Sequence, residues 1–367
     1  MFNLFVFFEV MLLASYVLLS LGGTKVQLRE SIKYVLINVI SSALFLASIA
    51  YLYGMTGTLN FAHLSVRVAE VGQDGLMNTI ALLFVVVFGL KAALFLFFWL
   101  PGSYGAPPTA IAAVFAALLT KVGIYALFRM FTLIFYHEPQ FTHTVLAVMA
   151  ALTMILGGIG AVAYNDIRKI LAYNVIIAVG FIIAGLAVFS LPAVSGAVYY
   201  LIHDMLVKGV LFLLGGTVIA LFGTAKLKEM SGLIRTHPVL GWLFFIVTLS
   251  LVGVPPFSGF IGKVFVTKGA IEGGFYWLAA IALLSSVFVL YSLLKIFMNA
   301  FWGETNLSED MEKASTKGIL LVPCVLLVVL SIALGLGVEW VHPYINQASM
   351  ELMNPAVYIE AVLNGTS

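Results

Sequence analysis

Charge is what this sequence has least of. Only 9% of its 367 residues are Asp, Glu, Lys or Arg, where a soluble domain carries about 25%. With 62% apolar residues and a mean hydropathy of +1.12, that scarcity excludes a soluble globular protein. A net charge of only +2 argues against a nucleic-acid partner. Cysteine is nearly missing: Cys324 stands alone in a hydrophobic run and supports neither a disulfide framework nor a metal site. His137, His143, His237 and His342 sit at helix ends without the grouping a metal site needs. Residues 2–22 lack the basic start of a cleavable signal and run too long for one. No catalytic triad, redox motif or cofactor motif is present. Gly157, Gly158 and Gly160 lie inside an apolar run, where close helix packing accounts for them. Asn364-Gly365-Thr366 is a glycosylation sequon by pattern only.

What is there is a succession of long apolar runs. A spanning helix needs about 20 such residues, and ten runs qualify: 2–22, 32–54, 77–99, 108–136, 142–163, 168–190, 192–222, 238–271, 277–302 and 316–340. Connections are short apart from 55–76, 223–237 and 303–315, so no soluble domain is inserted. Basic residues alternate between them. The first holds Lys25, Arg29 and Lys33, the fifth Arg168 and Lys169, and the seventh Lys226, Lys228 and Arg235; Lys295, Lys313 and Lys317 flank the ninth. The even-numbered connections have Arg67, Arg129 near a helix end, and Lys268. The positive-inside rule then places both ends of this chain on the outer side of a cell membrane. The expected fold is an all-α polytopic bundle of about ten spans in the lipid bilayer.

Four lysines, Lys91, Lys121, Lys208 and Lys263, interrupt these runs. A lysine at the centre of a membrane helix costs about 2.5–3.5 kcal/mol, so it faces a bundle interior or a wet cavity. Snorkelling is a poor account of Lys91, which lies far from both ends of its run. Burial disfavours the charged form, and a lysine that loses and regains its proton near neutrality is a proton carrier. Glu9, a lone carboxylate in an apolar helix, reads as the counter-ion of a nearby lysine. Asp204 and Lys208 are four apart on one helical face, which predicts a supporting ion pair. His203 points elsewhere, titrates near physiological pH, and reads as a relay. Four lysines against two carboxylates leave two uncompensated charges if all ionise. Either partner subunits or further helices supply acids, or some lysines are neutral part of the time. Ser15, Tyr16, Asn38, Ser41, Ser42, Thr120, Tyr125, Tyr173, Asn174, Ser250 and Ser258 are candidates for holding water along this row. No sodium site is legible, because hard cations want clustered oxygen ligands.

Two spans are interrupted. The third reads FGLKAALFLFFWLPGSYGAPP, Phe88 to Pro108, with Pro101, Pro107 and Pro108 closing it; the eighth reads SLVGVPPFSGFIGK, with Pro255 and Pro256 at mid-depth. Paired broken segments point to a transporter's internal repeat and its site. The breaks are five spans apart, an odd number, so the copies enter the membrane from opposite sides. That predicts inverted five-helix repeats: 1–141 as the remainder of an incomplete first copy with four spans, 142–302 as the second copy with five, and 303–367 as a final span and tail. Glu9 lies only seven residues into its run, which also reads as a chain truncated at its N-terminus.

The stretch WLPGSYGAPPTAIAAVFAALLTKVGIYALFR, Trp99 to Arg129, carries a resemblance. Together with FNLFVFFEVMLLASYVLLSLGG, GLKAALFLFFWLP, NDIRKILAYN, YYLIHDMLVKGVLFLLGG and GVPPFSGFIGK, it closely resembles the D-subunit family of Mrp-type multisubunit sodium/proton antiporters. That family is related to the antiporter-like subunits of respiratory NADH:quinone oxidoreductase. The resemblance covers nearly the whole chain to about Val341. It implies fourteen helices, four of them preceding Phe2, which leaves two readings of the start: Met1 as an internal methionine of an incomplete gene record, or the chain as a degenerate, shorter subunit. It further implies a midplane row in which Glu9, Lys91, Lys121, Lys263, His203 and Lys208 match the family's residues. The implied role is to pass protons, coupled to sodium export, with other membrane subunits as partners and no cofactor; it is a transporter component rather than an enzyme. The alternatives are a proton-pumping subunit of the oxidoreductase and a non-transporting scaffold. Respiratory subunits commonly carry an LPxAHxEAP-like stretch, whereas this chain reads Leu100-Pro101-Gly102-Ser103-Tyr104-Gly105-Ala106-Pro107-Pro108, which favours the antiporter.

Overall fold

A computed structural model describes residues 1–306 and 318–363; Lys313, Lys317 and the sequon at Asn364 lie outside the described residues. Among the described residues the chain is helical, with one isolated bridge between Asp166 and Lys226. The helices are α1 (Phe2–Ser20), α2 (Lys25–Thr56), α3 (Phe61–Val71), α4 (Gly75–Ala92), α5 (Leu100–Gly105), α6 (Thr109–Leu133), α7 (Pro139–Ala163), α8 (Ile167–Val188), α9 (Leu191–Phe222), α10 (Pro238–Val252), α11 (Ser258–Glu272), α12 (Tyr276–Phe301), α13 (Gly318–Leu336), α14 (Val338–Met353) and α15 (Pro355–Leu363). Eight are individually long and apolar enough to cross a membrane, and α13 with α14, bent by 80°, brings the count to nine. The remaining expected span is α10 and α11, two 15-residue helices on either side of a break.

Local chemistry sets the ends. Thr24 and Gln27 form a reciprocal capping box, so α2 starts at Lys25, seven residues before the apolar run predicted at 32. Glycines in the left-handed conformation close α2 at Gly57 and α9 at Gly223. The helix α8 is apolar all round and buried on nearly every side, packed by α7, α9 and α12. The glycine run of α7 is packing, as expected: a Cβ at Gly157 would press on Ile176 of α8, one at Gly158 on Phe288 of α12, and one at Gly160 on Tyr173 of α8.

The connections sort onto two faces. On one, Glu30 packs on Gly102, Arg168 on Gly105, the backbone at Ile167 and Leu227 bonds Ala225 and Asn165, and Gly232 bonds Trp302. These contacts join the first, third, fifth, seventh and ninth connections. On the other, Ser65 bonds Leu133, Gln73 bonds the His137 amide, His143 stacks on Phe189, and Ser190 bonds Gly269. These join the second, fourth, sixth and eighth. That segregation is what ten spans require.

One expectation needs correction. The first break does not fall at the prolines. α4 ends at Ala92 and the backbone turns through left-handed φ at Ala93 (63°) and Phe95 (61°), six or more residues ahead of Pro101. Pro101 opens the short helix α5 and Pro108 caps α6, positions where a missing N–H costs nothing. The tail beyond the final span is helical: α14 turns at Gly337, packs across α9 and α6, and hands on to α15, which reaches α3.

Candidate functional site

Three clusters of buried polar groups are strung through the bundle. The first joins α1, α2 and α4. Ser42 donates to Glu9 Oε1 at 2.5 Å and accepts from Lys91 Nζ at 3.2 Å, while lysine and carboxylate stand 3.8 Å apart. The serine hydroxyl therefore bridges the pair. Lys91 lies 5.2 Å from the Phe8 ring centre, which shields it further. Its place in the last turn of α4 follows from the break just beyond it. The freed backbone there is satisfied by protein: Leu94 N bonds Gly89 O at 2.8 Å, Phe95 N bonds Thr153 Oγ1 at 2.7 Å, and Trp99 Nε1 bonds Leu90 O at 3.1 Å. Without such partners, non-helical backbone at this depth would not be tolerated.

The second cluster joins α6 and α9. Lys121 Nζ stands 2.7 Å from Asp204 Oδ2 and also donates to Ala116 O at 2.7 Å, in a π turn spanning Phe115–Leu119. The contact with Asp204 is an ion pair, not an aligned hydrogen bond. Lys208 Nζ is 3.8 Å from Asp204 Oδ1. The predicted pair within the helix therefore exists, but the closer partner of Asp204 is Lys121, on another helix. Asp204 and Lys208 side chains are each only 1% exposed, so one carboxylate serves two lysines away from water.

The third cluster is at the second break. Lys263, on α11, donates to Leu251 O at 2.9 Å, Val252 O at 2.8 Å and Ser286 Oγ at 2.9 Å. The two carbonyls end α10 and have lost their helical partners. Pro255–Pro256 lies in this break, as expected, and its peptide bond is cis. His203 Nδ1 is 2.7 Å from Ser258 Oγ; Ser258 and Ser250 in turn meet Ser331 of α13 at 3.0 and 3.2 Å. Lys263 has no carboxylate within ion-pair distance among the described residues.

The clusters are linked by further polar and aromatic groups. Ser15 and Tyr34 bond at 3.1 Å, and a ladder of rings runs from Tyr34 through Trp99 and Tyr104 to Phe115 of α6. The hydroxyls of Tyr104 and Thr120 are buried close to each other. The second and third clusters adjoin through the consecutive residues His203 and Asp204.

The structure thus gathers every lysine, carboxylate and histidine of the expected row, but as three groups. It adds Ser331, Ser286 and Thr153, which sequence reasoning passed over. Thr153 and Ser331 are lone hydroxyls in apolar runs and Ser286 adjoins Ser285, signals too common in membrane helices to stand out. Ser42 stood among the candidates for holding water, without its bridging place.

Known proteins share this arrangement of helices. A family profile described as NADH:quinone oxidoreductase/Mrp antiporter, TM, matches residues 1–289. The D subunit of the Na(+)/H(+) antiporter of Bacillus subtilis is 54% identical over 364 residues, covering 99% of this chain and 74% of that protein. That of Alkalihalophilus pseudofirmus is 51% identical over 365 residues, covering 99% and 74%. In the solved Mrp complex of a Dietzia species, one chain superposes with a TM-score of 0.91 at 32% identity, covering 99% of this chain and 76% of that one. The profile match over most of the chain and the shared architecture settle the family: the chain belongs to the NADH:quinone oxidoreductase/Mrp antiporter transmembrane family.

Proposed function

We propose that this chain is the proton-carrying membrane component of a multisubunit sodium/proton antiporter of the cell membrane, working beside other membrane subunits. One observation carries the reading: four lysines buried in linked polar clusters face, among the described residues, two carboxylates. A site of that composition cannot hold every lysine charged without a heavy desolvation cost, so it favours protons that come and go. Protons pass along Glu9, Lys91, Lys121, Lys208, His203 and Lys263, with Asp204 holding the middle and no catalytic bond-making step. The identity to the antiporter relatives from Bacillus and Alkalihalophilus supports the antiporter over the respiratory oxidoreductase. So does the glycine-rich stretch Gly102–Gly105.

The same reading divides the chain into repeats at 141/142 and 302/303, supported by the lysine placed at each broken helix. It puts both ends of the chain on the outer face, supported by the basic residues of the odd-numbered connections. The test is sodium-induced collapse of a pH gradient in everted vesicles from an antiporter-deficient host with partner subunits co-expressed. Lys91→Ala and Lys263→Ala are expected to abolish the response while the complex still assembles. Retained activity in either would overturn the lysine relay.

A further inference from the structure

The three serines beside His203 have an unusual placement. They come from three helices, Ser250 on α10, Ser258 on α11 and Ser331 on α13, and form one chain of hydroxyls ending at His203 Nδ1. The far end goes nowhere. Beyond Ser250 and Ser331 lie Val207, Val210, Ile246, Val247, Val328 and Ile332, around a space too narrow to admit water. A proton wire needs an outlet, so this chain of hydroxyls is not a branch of the pathway. The other ring nitrogen, Nε2, is buried with no hydrogen-bond partner among the described residues and faces Gly259, where a Cβ would lie 2.9 Å from it. The charges of Asp204, Lys208 and Lys263 act on the ring from neighbouring positions.

In a neutral imidazole one nitrogen donates and the other accepts, and the bond made at one side decides the chemistry of the other. A serine hydroxyl has one proton to give. If Ser258 gives its proton to Ser331, it accepts from His203 Nδ1–H, and Nε2 is left bare to take up a proton. If Ser258 gives its proton to Nδ1, then Nε2 carries the hydrogen and has no lone pair to offer.

We infer that Ser331 is a positioning residue which, by accepting the Ser258 proton, holds His203 as the Nδ1–H tautomer and leaves Nε2 as the ring's proton-accepting nitrogen. The inference rests on reading His203 as a relay and names what orients it. Ser331 lies on the last span, outside the expected repeats. Gly335, one turn further along α13, presses against the backbone of Pro256 and Ser258, where a Cβ would come within 2.5 Å of Pro256 O. That contact holds Ser331 in register with the break.

The test reads the tautomer directly. The complex is prepared with 15N-labelled histidine, and the His203 signals are assigned by their loss in His203→Gln. The wild type is expected to show a protonated Nδ1 and a bare Nε2. In Ser331→Ala, only Nδ1 remains among the described contacts to accept the Ser258 proton, so the two nitrogens are expected to exchange roles. Ser331→Thr keeps the oxygen and is expected to keep the wild-type signals. Should Ser331→Ala fail to assemble, Ser250→Ala is expected to give the same reversal, because Ser331 then turns its proton toward Ser258. An unchanged tautomer in the assembled alanine variant, or a wild type protonated at Nε2, overturns the inference. Sodium-driven proton flux is measured in parallel and is expected to fall in Ser331→Ala and recover in Ser331→Thr. A wild type with the stated tautomer but no sodium response would uphold this inference and count against the antiporter reading instead.

Discussion

Ser42 illustrates how much a small side chain decides at this depth. It donates to the carboxylate that balances Lys91 and accepts from the lysine itself. A hydrogen bond to a charged group contributes about 1.5–3 kcal/mol, and 1.4 kcal/mol is a factor of ten. Ser42→Ala is therefore expected to slow antiport roughly tenfold or more, with Ser42→Thr close to wild type, in the everted-vesicle assay. A rate unchanged in the alanine variant would show that the bridge is incidental. Asp204 is the opposite case, one carboxylate balancing two lysines. Removing one member of a buried ion pair costs about 3–5 kcal/mol, so Asp204→Asn is expected to lower the melting temperature of the purified complex. Because Coulomb attraction grows as charges approach, a double-mutant cycle should give a larger coupling of Asp204 with Lys121 than with Lys208. The opposite order would mean that the 2.7 and 3.8 Å separations do not persist in the membrane.

The helical elements were mostly legible in the sequence because a membrane forces them to be. Every backbone group in lipid must be paired internally, so spanning segments are helices and read as long apolar runs. The breaks were legible in kind and only half so in place. Pro255 and Pro256 do sit in the second. The first turns at Ala93 and Phe95, residues that ordinarily avoid left-handed φ, and nothing in Ala-Ala-Leu-Phe signals it. It is held by contacts from elsewhere, Thr153 on α7 and the turn of α6 at Gly123. A Cβ on Gly123 would lie 2.6 Å from the Ala92 nitrogen. Overpacking costs about 1–3 kcal/mol where backbone must move. Gly123→Ala is thus expected to displace the end of α4 and cut transport more than it cuts assembly, judged by antiport rate against complex yield. Full activity in an assembled variant would contradict so tight an approach of α6 to the Lys91 turn.

Over the whole molecule, the contacts that sort odd and even connections onto opposite faces make a topological forecast. Cys324 is replaced by alanine, and single cysteines are introduced one at a time as Asp74→Cys and Glu229→Cys. The first is expected to react with an impermeant maleimide from the outer side of intact cells, the second only in everted vesicles. Labelling of both from one side would refute the ten-span arrangement.

Class, span count and the identities of the charged residues came from the sequence by itself, because charge is so costly in a bilayer that each buried Lys, Asp or Glu stands out against its run. Which of these groups meet was decided only by the tertiary structure. Lys121 and Asp204 are 83 positions apart and share an ion contact, while Ser331 reaches Ser258 across 73. Apolar periodicity tells a helix which face to bury, not which neighbour will cover it. Short polar side chains carry too little insertion cost to mark themselves out until packing brings them against a lysine, a carboxylate or an imidazole.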